Sequence, residues 1–198
     1  MNLTMKLTIK FVRLLNTSDY VLLRECTTSM LLTFVYLVVI TGPSPESLGA
    51  TIAITLCTKC TPALLILVGR SGPRIQTVIK SITTVNSAAK AIFVPCDLAS
   101  LSSVREAADK INALTSKIHV VINSAGIMVP PTFTKSVDGI EMQFATNHVG
   151  PFLLTELLMS RLIAAGKKER ARVVNLTSTG HLASDICYED VNFEVSET

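Results

Sequence analysis

Residues 38 to 50 run Val-Val-Ile-Thr-Gly-Pro-Ser-Pro-Glu-Ser-Leu-Gly-Ala, and their pattern organises the interpretation of the whole chain. An apolar run ends at Thr41-Gly42, two prolines mark a turn, and Leu48-Gly49 opens an amphipathic stretch. This order predicts a strand, a loop and a helix. Such a loop lets backbone N–H groups approach a phosphate at the positive end of the helix. From this segment alone, an ordinary surface turn is an equal alternative.

Size and composition limit the classes of protein that the chain can belong to. Its 198 residues are enough for one domain with a substantial core. The net charge of +3 does not predict a nucleic-acid-binding surface. The five cysteines are odd in number and irregularly placed, which favours a reduced intracellular protein. Cys57-Thr-Lys-Cys60 has the spacing of a zinc pair, but no second ligand pair accompanies it, so we expect no metal site.

The N-terminal region raises the question of a membrane anchor. Mean hydropathy is +0.47, and residues 30–40 are apolar apart from Thr33. A spanning helix needs about 20 apolar residues, so we predict a buried first strand over Phe34–Ile40 and expect no membrane insertion. Cytoplasmic location is the expectation, and membrane association through residues 30–40 is the alternative. Residues 1–28 lack a clear period and are assigned to an N-terminal extension of unknown role, ahead of a domain over residues 29–198.

Helical and strand-like patterns alternate after the first loop. Further helices are predicted over 48–59, 73–85, 101–114 and 139–165, the last with a kink at Pro151. Strands are predicted over 63–68, 91–94, 119–122 and 172–176. This alternation predicts an α/β fold in which helices cover both faces of a parallel sheet, a three-layer αβα arrangement.

Five short motifs lie near the ends of these strands and in one helix. They are Thr41-Gly42 with Leu48-Gly49, Cys96-Asp97-Leu98, Asn123-Ser124-Ala125-Gly126, Asn147 in Phe144–Gly150, and Ser178 in Arg172–Ser178. In this order they resemble the motifs of the short-chain dehydrogenase/reductase family, over residues 38–193. The first motif departs from the family's Thr-Gly-x-x-x-Gly-x-Gly by one extra residue and by Ser47 in place of the middle glycine. Fungal members of the family carry similar variants.

The resemblance implies a doubly wound Rossmann fold with strand order 3-2-1-4-5, counted from the strand that ends at Thr41. The fifth strand would then lie at an exposed edge. The resemblance assigns Ser178 and Asn147 to catalysis, Ser178 orienting a substrate carbonyl and Asn147 joining a proton relay. The implied substrate is a small-molecule carbonyl or alcohol, and a longer form could be a homo-oligomer. The implied cofactor-binding residues are Thr41, Gly42, Ser44, Ser47, Leu48, Gly49, Arg70, Ser71, Asp97, Leu98, Asn123, Ser124, Ala125 and Gly126.

The residue after the second strand bears on the choice of cofactor. An acidic residue there accepts hydrogen bonds from a ribose 2′-hydroxyl, whereas an arginine pairs with a 2′-phosphate. The strand ends Val68-Gly69-Arg70-Ser71, with no acidic side chain. We therefore predict NADP(H), with NAD less favoured; a solvated surface arginine is the alternative.

The family's catalytic Tyr-x-x-x-Lys pair is not found in the printed sequence. None of Tyr20, Tyr36 and Tyr188 is followed four residues later by lysine. In the family, this lysine lowers the tyrosine pKa, and the tyrosine exchanges a proton with the substrate oxygen. We therefore expect a chain truncated before that motif, with an incomplete C-terminal part of the domain. Two hypotheses remain open: an NADP(H)-dependent oxidoreductase, or a non-catalytic, degenerate NAD(P)-binding protein.

Overall fold

A computed structural model describes residues 8–12, 36–128, 130–166, 171–182 and 186–194 of the chain. One six-stranded sheet is formed from short strands in the described residues. They are β1 (Thr8–Val12), β2 (Leu37–Thr41), β3 (Leu64–Gly69), β4 (Ala91–Pro95), β5 (Val120–Asn123) and β6 (Arg172–Leu176).

Helices connect these strands, as the sequence pattern predicts. They are α1 (Leu48–Lys59), α2 (Gly72–Val85), α3 (Leu101–Leu114), the single turn α4 (Met142–Phe144) and α5 (Gly150–Gly166). A π-helical turn over Ala145–Val149 joins α4 to α5, and a 3₁₀ turn over Thr179–Leu182 follows β6.

The strands are parallel and lie in the order β1-β6-β5-β2-β3-β4. From β4 to β6 this is the predicted order 3-2-1-4-5 counted from β2, so the doubly wound Rossmann-like fold is confirmed. The order reverses on either side of β2, because the chain moves outward through β3 and then returns to β5. The helices that follow β2 and β5 pack on opposite faces of the sheet, and open α/β sheets bind ligands at the strand ends where this happens.

The prediction that β6 lies at an exposed edge is wrong. Strand β1 pairs with it in parallel, in register from Thr8 opposite Arg172 to Val12 opposite Leu176. The sequence Thr-Ile-Lys-Phe-Val is rich in β-branched and aromatic residues, as strands are. It is too short for its alternation of apolar and polar residues to stand out from the residues around it. Most of the predicted extension over residues 1–28, and Met30–Val35 of the apolar run, lie outside the described residues.

The core has two layers, one on each face of the sheet. Along β2, Leu37 and Val39 pack with α3 and α5, while Val38 and Ile40 pack with α1 and α2. All four side chains are buried. Both faces of a parallel strand are covered, so its sequence is a continuous apolar run. The apolar run before Thr41 predicts β2 for this reason.

The helix predicted over 139–165 differs from the observed one at its start and near Pro151. Gly139 has a φ of 75° and lies in a turn, and the Glu141 carboxylate accepts the Gln143 and Phe144 amides at 2.8 and 2.7 Å, so the helix begins at Met142. Pro151 has no N–H to donate into an α-helical pattern, and the π-turn lies directly before it.

The described helix over Met142–Gly166 is long and apolar enough to cross a membrane by length and composition. Its Leu154, Leu158 and Leu162 are fully buried in the core, as is usual for a central helix of a globular domain.

Candidate functional site

A cleft of about 430 Å³ opens at the carboxyl ends of the central strands. Its walls come from the loops that follow β2, β3, β4 and β5, together with one residue of the π-turn. Four loops that are distant in sequence therefore converge on one space.

The loop after β2 passes very close to the loop after β5. Gly42 has a φ of 69°, and a Cβ built on it would lie 2.6 Å from the Ala125 Cα atom. A Cβ on Gly49 would lie 3.1 Å from the Ser124 hydroxyl oxygen. Glycine at position 42 thus meets two requirements, a left-handed backbone and a backbone-to-backbone approach.

Thr41, the last residue of β2, links the same two loops through hydrogen bonds. Its hydroxyl oxygen accepts hydrogen bonds from the Ser124 and Ala125 amides, both at 3.0 Å, and its side chain is fully buried. The Gly42 amide donates to the Val68 carbonyl at 2.8 Å, which continues the pairing with β3 into the loop. The floor of the cleft is consequently fixed by buried hydrogen bonds.

Helix α1 begins beside the cleft, capped by Ser47. The Ser47 hydroxyl accepts the Ala50 amide at 3.2 Å and donates to the Gly42 carbonyl at 3.3 Å. A serine N-cap therefore stands where the family pattern has its middle glycine. The cap leaves the first amides of α1 without helical partners, as at any helix N-terminus.

Two arginines line the cleft beyond β3. Arg70 follows the strand directly, and Arg74 lies in the first turn of α2. Ser71 is the N-cap residue of α2, yet its side chain makes no capping hydrogen bond. Neither arginine forms an ion pair with a carboxylate among the described residues.

The loop after β4 contributes Asp97, whose Oδ1 accepts the Ala99 amide at 3.0 Å in a local turn. The Asp97 amide in turn donates to the Ser103 hydroxyl at 2.9 Å. Beside it, burial raises the pKa of the Cys96 thiol to about 11, and the Asp97 carboxylate adds to this rise. The Cys96 thiol therefore stays protonated at neutral pH.

The loop after β5 is anchored by Asn123, which is buried. Its Nδ2 donates to the Asn175 Oδ1 at 2.8 Å and to the Thr155 hydroxyl at 3.2 Å. The next residue, Ser124, lines the cleft, and its hydroxyl oxygen is shielded from solvent without a hydrogen-bond partner. A shielded polar atom at the wall of a cleft is a position where a ligand can supply the missing bond.

Asn147 and Ser178 lie outside the cleft wall. The Asn147 amide group makes two hydrogen bonds to the Ile127 backbone, accepting from its N–H and donating to its carbonyl, both at 2.8 Å. The Ser178 hydroxyl accepts the Gly180 amide at 3.1 Å, and both Asn147 and Ser178 are exposed.

Of the predicted site residues, most line the cleft directly. They are Gly42, Ser44, Ser47, Arg70, Ser71, Asp97, Leu98, Ser124, Ala125 and Gly126. Thr41 and Asn123 lie behind the wall as supports, while Leu48, Gly49, Asn147 and Ser178 are not part of it.

Sequence reasoning missed several wall residues, of which Glu46 and Arg74 carry charge. Arg74 was detectable, because it lies four residues after Arg70 at the start of a helix marked by Pro73. Among the described residues, no group of three or more His, Cys, Asp or Glu side chains could hold a metal ion.

Comparisons with known proteins show which proteins this chain is similar to. Residues 36–188 match the family model described as short chain dehydrogenase. Oxidoreductase fscI of Fusarium equiseti is 36% identical over 156 residues, covering 78% of this chain and 60% of the relative. Human retinol dehydrogenase 13 is 45% identical over 98 residues, covering 50% of this chain and 28% of the relative. The chain thus spans less than two thirds of the length of either relative.

Among solved structures, a metagenomic short-chain oxidoreductase in complex with NADP is similar to this chain. The TM-score is 0.60 with 25% sequence identity, covering 72% of this chain and 62% of that one.

Proposed function

This chain belongs to the short-chain dehydrogenase/reductase family, and from that premise we propose that it forms the cofactor-binding part of an NADP(H)-dependent oxidoreductase. The observation that supports this most is the cleft itself, because its walls carry predicted cofactor-binding residues from four separate loops. The proposed substrate is a small-molecule carbonyl or alcohol. A cytoplasmic location and a homo-oligomeric longer form remain predictions.

The residues present fit a nicotinamide dinucleotide. The close approach of Gly42 to Ala125 keeps side chains out of the space beside the α1 N-terminus. The amides there and the shielded Ser124 hydroxyl offer hydrogen bonds to a pyrophosphate or ribose. Asp97 and Leu98 line the cleft after β4, and we propose that the adenine lies against them.

The preference for NADP(H) is proposed from Arg70 and Ser71. They follow β3, where the adenine ribose is expected, and no acidic residue stands at this strand end. The Arg70 guanidinium would pair with the 2′-phosphate, and the Ser71 hydroxyl, which does not cap α2, would add a hydrogen bond.

In such an enzyme, the cofactor supplies the hydride. The protein holds and orients the cofactor and the substrate, and it protonates the substrate oxygen. Asn147 fixes the loop after β5 through Ile127, and Ser178 is proposed to orient the substrate oxygen. Neither group can supply a proton at neutral pH. The Tyr-x-x-x-Lys spacing does not occur in the printed sequence.

That observation supports a second candidate function. In it, the chain is a non-catalytic or degenerate NAD(P)-binding protein with the same cleft and the same ligand. Both candidate functions predict that the cleft binds NAD(P). Only the oxidoreductase predicts turnover of a substrate, so a turnover measurement distinguishes them.

The proposal is tested by titrating the 198-residue chain with NADPH and NADH and measuring both dissociation constants. A charge-assisted contact is worth roughly 1.5–3 kcal/mol, so NADPH is expected to bind about 10- to 100-fold more tightly. Arg70→Ala should remove most of this difference and leave NADH binding nearly unchanged. Equal losses for both cofactors would assign Arg70 a structural role instead.

A further inference from the structure

The loop between β2 and α1 places an acidic residue where glycine is usually favoured. The Ser47 amide donates to the Ser44 carbonyl at 3.0 Å, which closes a four-residue turn. Pro45 occupies the second position, and Glu46, with a φ of 65°, occupies the third. Proline second and a positive φ third are the features of a type II turn, whose third residue is preferentially glycine.

Glu46 lies next to the N-terminus of α1. Glu46 directly precedes the N-cap Ser47, and α1 has no acidic residue in its first turn. A negative charge at this end of a helix is favourable. Glu46 is exposed, lines the cleft, and forms no ion pair with the described residues.

Glu46 is one of two carboxylates that balance the positive charges of the cleft wall. The arginines at positions 70 and 74 are opposed by Glu46 and Asp97, which leaves no formal net charge on the wall. Without the Glu46 carboxylate, the wall would carry one net positive charge toward an anionic ligand.

We propose that Glu46 lowers the affinity of the cleft for its cofactor, because its carboxylate competes with the ligand's phosphates for the positive end of α1. This inference rests on the proposed function, since it concerns the same cleft and a nicotinamide dinucleotide. Glu46 thereby acts as an internal anion that the incoming pyrophosphate must displace or tolerate.

The first test compares Glu46→Gln with Glu106→Gln, an equal charge change at an exposed position of α3 outside the cleft wall. Dissociation constants for NADPH and NADH are measured with the 198-residue chain. Glu46→Gln is expected to tighten binding of both cofactors about 3- to 10-fold at low ionic strength. The gain should shrink at about 1 M salt, where charges are screened beyond about 3 Å. Glu106→Gln should leave both constants unchanged.

Two further variants separate charge from backbone strain. Glu46→Asp keeps the charge and should bind as weakly as the parent. Glu46→Gly removes both the charge and the left-handed strain, so it should bind at least as tightly as Glu46→Gln. It should also raise the melting temperature by about 2–4 °C, which Glu46→Gln should not do.

Unchanged or weaker binding by Glu46→Gln would overturn the inference, and so would an equal gain in Glu106→Gln. These results would leave the proposed function intact, because the cofactor would still bind. Failure of the parent and every variant to bind either cofactor would instead overturn the proposed function, and this inference with it.

Discussion

The loops after β2 to β5 and the segment after β6 lie at the same edge of the sheet, yet they differ in how they are held. In the first group, the loop residues Cys96 and Leu98 are buried, as are Thr41 and Asn123 at the ends of β2 and β5. In the second, residues 177–180, 182 and 186–194 are all exposed or half-buried. The proposed cofactor side of the site is thus supported directly by buried residues, whereas the proposed substrate side lies on the surface.

This difference has a chemical consequence. Hydrogen bonds from the Ser124 and Ala125 amides to the buried Thr41 hydroxyl fix the cleft before any ligand arrives. The Ser178 hydroxyl, by contrast, accepts the amide of the nearby Gly180 within an exposed turn. Preorganised groups bind and catalyse better than groups that must first be ordered. We therefore expect these 198 residues to support binding and not chemistry.

The largest expected effect is a loss of turnover. The purified 198-residue chain should bind NADPH, yet oxidise it in the presence of aldehydes and ketones at a rate reduced by about 10²- to 10⁴-fold relative to family enzymes that carry the acid. The reason is that Asn147 does not titrate and the Ser178 hydroxyl is far too weak an acid. The measurement is NADPH absorbance against a panel of carbonyl compounds.

The control for turnover is a longer form that carries Tyr-x-x-x-Lys after residue 198. It should recover activity, and Ser178→Ala in that form should remove it again. Robust turnover by the 198-residue chain, lost on Ser178→Ala, would contradict the expectation. Such turnover would mean that another group acts as the acid, and the exposed Tyr188 would be the first residue to substitute.

A substitution at the floor of the cleft should have the next largest effect. Gly42→Ala adds a Cβ that would lie 2.6 Å from a backbone atom of Ala125, at a φ of 69°. We expect it to lower the free energy of unfolding by about 3–5 kcal/mol, or to prevent folding. Gly139→Ala is the matched control, because its φ is 75° but nothing lies within 4 Å of the added atom.

Denaturant unfolding of both variants separates the clash from the backbone conformation. Gly139→Ala should cost only about 1–2 kcal/mol, the price of a left-handed alanine. Equal losses at the two positions would mean that the contact between the β2 and β5 loops contributes little.

The sequence predicted the bounds of helices and strands best where they depend on a local pattern of residues. Helix α3 spans Leu101–Leu114 as expected, because its apolar spacing begins beside the capping residue Ser100. Strand β6 likewise matches residue for residue. Strand β1 was missed because its pairing with β6 joins residues more than 160 positions apart, which no local pattern reveals.

The site was predicted less completely than the fold. The motifs identified the loops, since residue types such as Gly42 and Asp97 follow strand ends. They did not reveal Glu46, because its importance depends on a positive φ and on a cleft formed by other loops. Asn147 and Ser178, which the resemblance assigns to catalysis, lie outside the cleft wall, and their catalytic role stays a prediction.

The smallest expected effect concerns thiol reactivity in the two regions. Burial raises the pKa of Cys57 and of Cys96 to about 11, whereas Cys187 is half-buried in the segment after β6. Because the thiolate is the reactive form, Cys187 should be alkylated at pH 8 at least about 10-fold faster than Cys57 and Cys96. Peptide mass spectrometry over time measures this order, and faster labelling of Cys96 would contradict a buried cleft wall.

The same pKa values give the sign of a pH effect. A raised pKa in the folded state means that folding keeps the proton on the thiol. This stabilisation is complete below about pH 9 and is lost as the pH rises toward about 11. Unfolding free energies at pH 8 and pH 10.5 should therefore differ less in Cys96→Ala than in the parent chain.

Hydrogen–deuterium exchange of the 198-residue chain, with and without saturating NADPH, tests the contrast between the two regions most directly. We expect slower exchange on ligand binding in residues 42–50, 70–75, 96–98 and 124–126, with little change in the described residues between 177 and 194. Protection confined to that last segment, or no protection at any of the four loops, would contradict it.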